Sequence, residues 1–425
     1  MSKDTFKFII KDFHENWNVA NSKERELKIP LDTSKIIVIY GPRRCGKTFY
    51  LYNQINSLIK KSIPKEKIVY VNFEDDRLFN LKVEDLNNLL EAYYELYPSN
   101  TSSTLHFFLD EIQNIEKWES FVRRINDTTK IKLFITGSSS KLTSQEIATS
   151  LRGRCLSYAL YPLNFREFLS FKDILPKKDF EYSSQRFKIK KVLEEYIEFG
   201  AFPEVVLCNE LELKKKILKE YYDLLVYKDL SDRFNLKNSE LLKDLLRFLF
   251  TNLTSHFSIN NYYKVVKNLI PVSRDTVSEY LNCIQESAYF YLLPNFSYSL
   301  KSQKVNPKKI IALDNGLRNI ASFRFSTDTG KLLENLVGST LKKNYAEIFY
   351  WKDKTEVDFV VKNNNFLSGI NVTYGEKISE REIKSLLDFK NEYKNVKDLI
   401  LINKDNESKK NKINIIPLWK WLLDF

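Results

Sequence analysis

A lysine and a hydroxyl side chain follow a glycine-containing turn near the start of the sequence. The stretch "GPRRCGKT" (41–48) comes directly after "KIIVIY" (35–40), a run of β-branched and aromatic residues. Two of the 10 glycines in this chain of 425 residues stand in that turn. Glycine lets the backbone approach a ligand closely, so that successive N–H groups can point at a polyphosphate. The spacing therefore predicts a phosphate-binding loop between a strand and a helix.

The loop also supplies the charge and the hydroxyl that a nucleoside triphosphate requires. We expect Lys47 to contact the β- and γ-phosphates, and Thr48 to hold Mg²⁺ at the positive end of the following helix. Arg43 and Arg44 either sense the nucleotide or pair with acidic side chains. The predicted nucleotide-contacting residues of this segment are Gly41, Pro42, Arg43, Arg44, Cys45, Gly46, Lys47, Thr48 and Phe49.

Two adjacent carboxylates end another apolar run. The segment "LHFFLDE" (105–111) places Asp110 and Glu111 at the carboxyl end of a predicted strand. At such a position an aspartate holds Mg²⁺ through water, and the neighbouring glutamate orients and polarises the attacking water. The alternative is a carboxylate pair that only caps the next helix. We predict Lys47 and Glu111 as catalytic residues, and Thr48 and Asp110 as metal ligands.

A third polar segment, "FITGSSS" (134–140), ends the next predicted strand. It places Thr136 and Ser138 where a hydroxyl could contact the γ-phosphate or the attacking water. The alternative is an ordinary Gly-Ser turn. We include Ser138 among the predicted nucleotide-contacting residues.

A sheet must position these polar segments. Apolar, strand-like runs recur in the first 160 residues, at 35–40, 67–74, 105–111 and 131–137. Helical patterns separate them, for example at 49–61 and at 116–125, where apolar residues recur with the period of an amphipathic helix. Buried strands that alternate with helices predict an α/β fold, a parallel sheet with helices on both faces.

The pattern changes after residue 160. Residues 161–300 are mostly helical, and two short helices, the second beginning at Ser273, precede the strand-like run "YFYLLPNF". That order predicts a winged helix. Strands and helices mix again in residues 301–425, which predicts a small α/β domain. We therefore predict three domains: a nucleotide-binding core at 1–160, a helical lid and winged helix at 161–300, and an α/β domain at 301–425.

Composition restricts the setting and the partners. The formal charge of +12 and the pI of about 9.1 allow contact with DNA or RNA, although a solvated basic surface would give the same balance. The four cysteines form no CxxC pair, which argues against zinc and disulfides and favours a cytoplasmic setting. No apolar run approaches about 18 residues, and the first residues lack the apolar core of a signal peptide, so we expect no membrane segment.

Together these motifs resemble a known family. The chain looks like the ATPases of the AAA+/STAND superclass of archaea and bacteria, in which an AAA-type module precedes an uncharacterised C-terminal domain. The matching segments are "GPRRCGKT", "VNFEDDR", "FLDEIQNI", "FITGSSS", "LRGRCLSYALYPLNFREF", "FGAFPEVV", "VYKDLSDRF", "LLENLV" and "EVDFVV". They extend over about residues 35–361. The resemblance implies that the nucleotides are ATP and ADP and that Mg²⁺ is the metal.

The resemblance implies two further site residues. Arg154 lies between the fourth and fifth predicted strands, where AAA-type enzymes project an arginine finger into a neighbouring subunit. Arg152 is the competing candidate, and pairing with a local carboxylate is the alternative. The segment "GAFP" (200–203) resembles the Gly…Pro motif whose proline, here Pro203, packs near the adenine. Its alternative is a helix C-cap glycine followed by a turn proline.

Related proteins carry a C-terminal module similar to PD-(D/E)xK nucleases, which need a helix glutamate, a strand aspartate and an E-x-K on the next strand. Glu334 and Asp358 match the first two positions, but Asn371 and Thr373 stand at the third. An amide ligates Mg²⁺ more weakly than a carboxylate, and threonine brings no positive charge. We therefore expect a catalytically degenerate domain, kept for binding or architecture.

A basic stretch precedes that domain. Its lysines are Lys301, Lys304, Lys308 and Lys309, and the aromatic residues nearby are Tyr291, Phe296 and Tyr298. They could face a phosphate backbone, or form a solvated linker beside core aromatics. Ser273 and Arg274 would begin a recognition helix, although winged helices in related proteins also serve as levers between domains.

The sequence therefore predicts an Mg²⁺-dependent ATPase whose nucleotide state shifts the winged-helix and C-terminal domains, with DNA or RNA as a candidate partner. The arginine finger favours self-association. Two rival functions stay open: a nucleic-acid-binding switch with little hydrolysis, and an ATP-dependent nuclease.

Overall fold

The computed structural model describes residues 2–18, 22–138, 149–177, 179–321, 329–375 and 378–425. The chain divides into two compact units, Met1–Tyr161 and Pro162–Phe425. The end of the segment "FITGSSS", from residue 139 onward, lies outside the described residues.

A parallel sheet forms the centre of the first unit. Its strands are β1 (Ile36–Gly41), β2 (Ile68–Asn72), β3 (Leu105–Asp110), β4 (Ile131–Ser138) and β5 (Cys155–Ala159). Their spatial order is β2-β3-β4-β1-β5, and every neighbouring pair is parallel. The continuous apolar runs explain the arrangement, because strands covered on both faces need no polar alternation. The predicted parallel sheet is confirmed.

Helices cover both faces of this sheet. They are α1 (Lys3–Asn16), α2 (Lys47–Lys60), α3 (Leu86–Leu96) and α4 (Trp118–Thr128). Alternate residues of β1 point to opposite sides: Val38 belongs to the hydrophobic cluster that includes α3 and α4, and Ile39 belongs to the cluster that includes α2. The period of two along the strand thus divides one apolar run between two cores. The predicted helices at 49–61 and 116–125 correspond to α2 and α4.

The second unit contains two sheets and several helices. The helices are α5 (Phe165–Phe171), α6 (Gln185–Phe199), α7 (Pro203–Leu207), α8 (Leu211–Leu224), α9 (Ser239–Thr251), α10 (Ile259–Val266), α11 (Arg274–Glu286), α12 (Leu300–Val305), α13 (Asn315–Ala321), α14 (Thr329–Asn344), α15 (Glu380–Glu392) and α16 (Leu418–Trp421). A π-helical segment, Leu225–Asp232, continues α8. The strands are β6 (His256–Phe257), β7 (Phe290–Leu293), β8 (Lys308–Ala312), β9 (Glu347–Lys352), β10 (Glu356–Asn363), β11 (Phe366–Val372), β12 (Val396–Asn403), β13 (Ser408–Lys410) and β14 (Ile413–Pro417).

The smaller sheet of this unit is antiparallel, in the order β6-β8-β7. Along the chain the order of these elements is α9, β6, α10, α11, β7, α12 and β8. Strand β8 lies beyond residue 300, so one sheet contains residues from two of the three predicted domains. The three-domain division stays a prediction.

The larger sheet has the order β13-β14-β12-β11-β10-β9. Strands β9, β10 and β11 form an antiparallel meander, and β11, β12 and β14 run parallel. Helix α14 packs on one face, where Val337 shares a cluster with Phe359. Helix α15 packs on the other face, where Leu386 shares a cluster with Val360. This C-terminal sheet with flanking helices agrees with the predicted α/β region.

Candidate functional site

The loop between β1 and α2 lies at the carboxyl end of β1, between a strand and a helix, as the sequence predicts. Gly41 is required there because a Cβ atom would collide with the carbonyl oxygen of Leu160. Gly46 has a φ of 95° and Arg44 a φ of 64°, so the loop turns twice through left-handed backbone. Glycine adopts such angles at the lowest cost, as at Gly46, and the turn returns the chain into the amino end of α2.

Lys47 begins α2 with its side chain only 4% exposed. Its Nζ donates to the carbonyl oxygens of Gly41, at 3.3 Å, and Pro42, at 3.2 Å. It also lies 3.3 Å from Oε1 of Glu111. Burial works to lower the pKa of Lys47, but the surrounding acidic groups, Glu111 foremost and then Cys45 and Asp110, together outweigh it, so the pKa is raised. The ammonium therefore stays charged and faces the inside of the loop.

Asp110 ends β3 and is fully buried. The hydroxyl of Tyr70, on neighbouring β2, donates to its Oδ2 at 2.9 Å, and the hydroxyl of Thr136, on β4, donates to Oδ1. A side-chain hydrogen bond also joins it to Thr48. Burial raises the pKa of Asp110, and these hydrogen bonds only partly offset the increase. Parallel strands that end at one edge bring the aspartate to the hydroxyl of the loop.

Glu111 follows in left-handed backbone, with a φ of 53°. Its N–H donates to Oγ1 of Thr136 at 2.9 Å, and its carboxylate accepts from Nε2 of Gln113. Burial tends to raise the pKa of Glu111, but the Lys47 ammonium and the Gln113 amide lower it overall. The carboxylate is ionised and held beside the phosphate loop, as a base for a water molecule requires.

The remaining predicted contacts of the loop differ in exposure. Arg43 lies 3.7 Å from Oε1 of Glu74, the acidic pairing that the sequence left open. Cys45 is buried, and burial raises the pKa of its thiol. Phe49 is 60% exposed, and Ser138 is buried at the end of β4.

Three side chains of the site were missed by the sequence reasoning. Tyr70 holds Asp110, and Gln113 holds Glu111. Arg25 donates to the carbonyl oxygens of Cys45, at 2.9 Å, and Tyr161, at 2.7 Å. These hydrogen bonds hold the backbone of the phosphate loop in place. The segment "DEIQ" contained a signal for Gln113, whereas Tyr70 and Arg25 are recognisable only in three dimensions.

Comparison with known proteins decides the family. Residues 33–169 match the family described as an AAA domain, and residues 190–328 and 329–421 match two domains of unknown function. An uncharacterised protein of Methanocaldococcus jannaschii is 38% identical over 442 residues, which cover 100% of this chain and 96% of that protein. The chain belongs to the AAA-domain family of P-loop ATPases.

Other comparisons give this AAA ATPase further relatives. An uncharacterised protein of Haemophilus influenzae is 30% identical over 92% of this chain and 95% of its own length. Among solved structures, a Walker-type ATPase of Pyrococcus abyssi matches with a TM-score of 0.44 and 12% identity, over 67% of this chain and 90% of that one. DnaA of Aquifex aeolicus matches with a TM-score of 0.25 and 15% identity, over 59% and 82% of the two chains.

The two residues that the resemblance added lie in local contacts in this AAA ATPase. Arg154 donates through Nε to Oδ1 of Asp127 at 2.8 Å, the local carboxylate pairing that the sequence left open. Pro203 is the first residue of α7 in the second unit. Gly200 ends α6 with a φ of 73°, as the C-cap alternative expects. A catalytic role for Arg154 and an adenine contact for Pro203 stay predictions.

The basic stretch of this AAA ATPase is divided by the fold. Lys301 and Lys304 are exposed on α12, and Lys308 is half-buried at the start of β8. Lys309 is 1% exposed and ion-paired with Glu334. The prediction that Lys309 could face a phosphate backbone is therefore wrong, because a buried, paired ammonium cannot reach one.

The described residues contain neither a helix long and apolar enough to cross a membrane nor a group of three or more His, Cys, Asp or Glu side chains arranged to hold a metal ion. Within those residues Glu334 and Asp358 still lie near each other, since both contact Lys309.

Proposed function

We propose that this AAA ATPase binds ATP in the loop at 41–48 and hydrolyses it with Mg²⁺. One observation carries the proposal: the buried ammonium of Lys47 lies 3.3 Å from the carboxylate of Glu111, beside the glycine turn. A buried cation next to a tight, glycine-containing turn suits an anionic group that approaches the main chain closely.

The residues of the site have distinct proposed roles. Lys47 attracts the γ-phosphate and stabilises the negative charge that develops on it. The ionised carboxylate of Glu111 accepts a proton from a water molecule and orients it toward the phosphorus. Arg25 and the glycine turn keep the loop amides directed inward.

Thr48 and Asp110 fit a magnesium ion. Hydroxyl and carboxylate oxygens are the ligands that this hard cation prefers, and these two side chains are hydrogen-bonded to each other at the edge of the sheet. Burial raises the pKa of Asp110, and a bound divalent ion would favour its ionised form. When bound, Mg²⁺ neutralises charge on the β- and γ-phosphate oxygens.

A glutamate-to-glutamine exchange tests this function. In Glu111→Gln we expect phosphate release to fall roughly 10²–10⁴-fold, because the amide cannot accept the proton, while ATP binding persists. Glu116→Gln changes an exposed residue of the same segment and serves as the matched control. Phosphate release at the wild-type rate in Glu111→Gln would remove the general-base role.

We further propose that the chain self-associates and that Arg154 acts across subunits. Its position before β5 supports the idea, and the exposed pair with Asp127 leaves the guanidinium at the surface. Mixing the inactive variants Glu111→Gln and Arg154→Ala separates the cases. Restored hydrolysis in the mixture means that one chain supplies the arginine to the other, and no restoration means that Arg154 acts within its own chain. Hydrolysis at the wild-type rate by Arg154→Ala alone would exclude a catalytic role for this arginine.

A second candidate function is an ATP-controlled nucleic-acid-binding protein. Helices α9, α10 and α11 alternate with the three-stranded sheet in the order of a winged helix, and the segment between β7 and β8 would be its wing. That segment exposes Lys301 and Lys304 beside Tyr298, which is 68% exposed. Exposed cations next to an aromatic ring suit a phosphate backbone.

The salt dependence of binding tests this second candidate. We expect duplex DNA or RNA to bind with an affinity that falls steeply as salt rises, and the variant with Lys301→Ala and Lys304→Ala to lower the slope of log affinity against log salt by about 2. Lys308→Ala, on the half-buried neighbour, is the control. An unchanged slope in the double variant would exclude this segment as the contact.

A further inference from the structure

A buried lysine fills the centre of a carboxylate cluster in the second unit. Lys309 lies on β8 of the three-stranded sheet and is 1% exposed. Its Nζ is 2.7 Å from Oε1 of Glu334, 3.3 Å from Oδ1 of Asp358 and 3.4 Å from Oε1 of Glu356. Helix α14 supplies the first carboxylate and strand β10 of the six-stranded sheet supplies the other two. The ammonium of a residue on the three-stranded sheet thus contacts acidic groups of helix α14 and of strand β10, which lies in the six-stranded sheet.

Hydrogen bonds from β11 hold the acidic residues Asp358 and Glu382 in place. Oδ2 of Asp358 accepts from the N–H of Val372 at 2.9 Å, and its own N–H donates to Oδ1 of Asn371 at 3.0 Å. Nδ2 of Asn371 donates to Oε2 of Glu382 at 2.8 Å. Asn371 therefore links the backbone of Asp358 to the carboxylate of Glu382, and an ionised carboxylate at the same position could not make the second contact because it has no donor.

This cluster contains the residues that resemble the PD-(D/E)xK nuclease motif. Glu334 on the helix and Asp358 on the strand are the two matching acids, whereas Asn371 replaces the third. In the nuclease-like arrangement these positions surround a divalent cation. Here the positive charge beside them belongs to Lys309, which the sequence pattern placed in a different segment and which only the fold brings to the cluster.

We propose that Lys309 is the resident cation of this site. Its ammonium takes the place of a divalent metal ion, keeps metal out, and clasps strand β8 of the three-stranded sheet to α14 and β10. The cluster thereby forms a structural joint between the three-stranded sheet and the six-stranded C-terminal sheet. This inference is independent of ATP hydrolysis at the phosphate loop.

The charges around the joint give it a defined pH dependence. The charged and titratable groups that face it are Lys309 from β8, Glu334 from α14, Glu356 and Asp358 from β10, His256 from β6, Lys352 from β9, and Arg381 and Glu382 from α15. Burial raises the pKa of Glu334 to about 7, although Lys309 opposes the increase. Burial and the charge of Asp358 raise the pKa of Glu382 to about 7.

The direction of the pH effect follows from these values. A carboxyl whose pKa is higher in the folded chain than in the unfolded chain binds its proton more tightly when folded. Its contribution to stability therefore increases as the pH falls through about 7 toward the unfolded value of 4.5. Without the ammonium of Lys309, the pKa of Glu334 would rise further, so loss of the lysine should cost most above pH 7.

Thermal unfolding of Lys309→Met tests the proposal. At about pH 8 we expect the melting temperature to fall by roughly 6–15 °C, because the partly buried carboxylates of Glu334, Glu356 and Asp358 lose their cation. At about pH 6 the loss should be clearly smaller. Millimolar Mn²⁺ should raise the melting temperature of the variant and leave the wild type unchanged. Lys308→Met, on the neighbouring half-buried lysine, is the matched control and should show neither effect.

Three results would overturn the proposal. The first is a wild-type chain that binds Mn²⁺ at this site, shown by a rise in melting temperature that Asp358→Ala abolishes. The second is a loss in Lys309→Met that is equal at both pH values, which would indicate lost packing alone. The third applies if Lys309→Met does not fold: adding Glu334→Gln removes one of the unpaired charges and should restore folding, so failure to restore it counts against the joint.

Discussion

At the phosphate loop, one ammonium is held between main-chain carbonyl oxygens and a carboxylate. Lys47 contacts Gly41, Pro42 and Glu111, so its charge is balanced while it remains directed into the turn. The carboxylate in turn contacts Gln113, whose Oε1 atom is buried without a hydrogen-bond partner. A buried acceptor beside an ionised base is a suitable second contact for a water molecule.

The amide of Gln113 therefore offers a prediction at the scale of one residue. In Gln113→Ala we expect kcat to fall roughly 10-fold, with ATP affinity little changed, because Glu111 loses the group that orients it. The amide lowers the pKa of Glu111, so its removal should move the acidic limb of the pH–rate profile to higher pH. Asn114→Ala alters a neighbouring exposed amide and is the control. A fall in kcat without any shift of the limb would assign Gln113 a structural role only.

Single residues of the site differ in how far the sequence could predict them. Lys47, Thr48, Asp110 and Glu111 stand in short local patterns whose spacing is set by the turn and by the strand end. Lys309 stands 25 residues from Glu334 and 49 from Asp358, and no periodicity links them. Its burial depends on how β8 packs, so the sequence placed it in a solvent-exposed basic stretch.

The sequence predicts a helix or strand correctly where one continuous run of residues forms the whole element. Strand β3 is buried along its whole length, and its apolar run predicted it directly. Helix α4 buries Trp118, Phe121, Val122 and Ile125, the apolar stripe read from the sequence. Both faces of the sheet pack against the apolar faces of helices. The apolar pattern of the sequence therefore predicts the strands, the helices and their layered arrangement.

The elements of the second unit were harder to delimit because its pairings are distant. Strand β6 has two residues and pairs with β8 some 50 positions later, which no local signal indicates. The turn after α6 has a similar origin: Gly200 leaves no room for a Cβ beside Asp314, whose Oδ2 accepts from the N–H of Ala201 at 2.8 Å. The sequence showed a C-cap glycine and could not show the buried aspartate that fixes the turn.

The whole molecule combines two charged sites that differ in the source of the cation. In the first unit, we propose that Lys47 and Asp110 receive a ligand that brings both negative phosphate and a divalent cation. In the second unit, the chain supplies its own cation, Lys309, to an acidic cluster. The similarity to the Methanocaldococcus jannaschii protein extends over 100% of this chain and so includes both units.

Equilibrium binding of ATP in the presence of Mg²⁺ tests the central claim most directly. We predict that the wild type binds, that Lys47→Ala weakens binding by roughly 10-fold or more because a charge-assisted contact to phosphate is lost, and that Lys60→Ala, exposed on the same helix, leaves it unchanged. A wild-type chain that does not bind ATP at millimolar concentration, or a Lys47→Ala variant with unaltered affinity, would contradict the account.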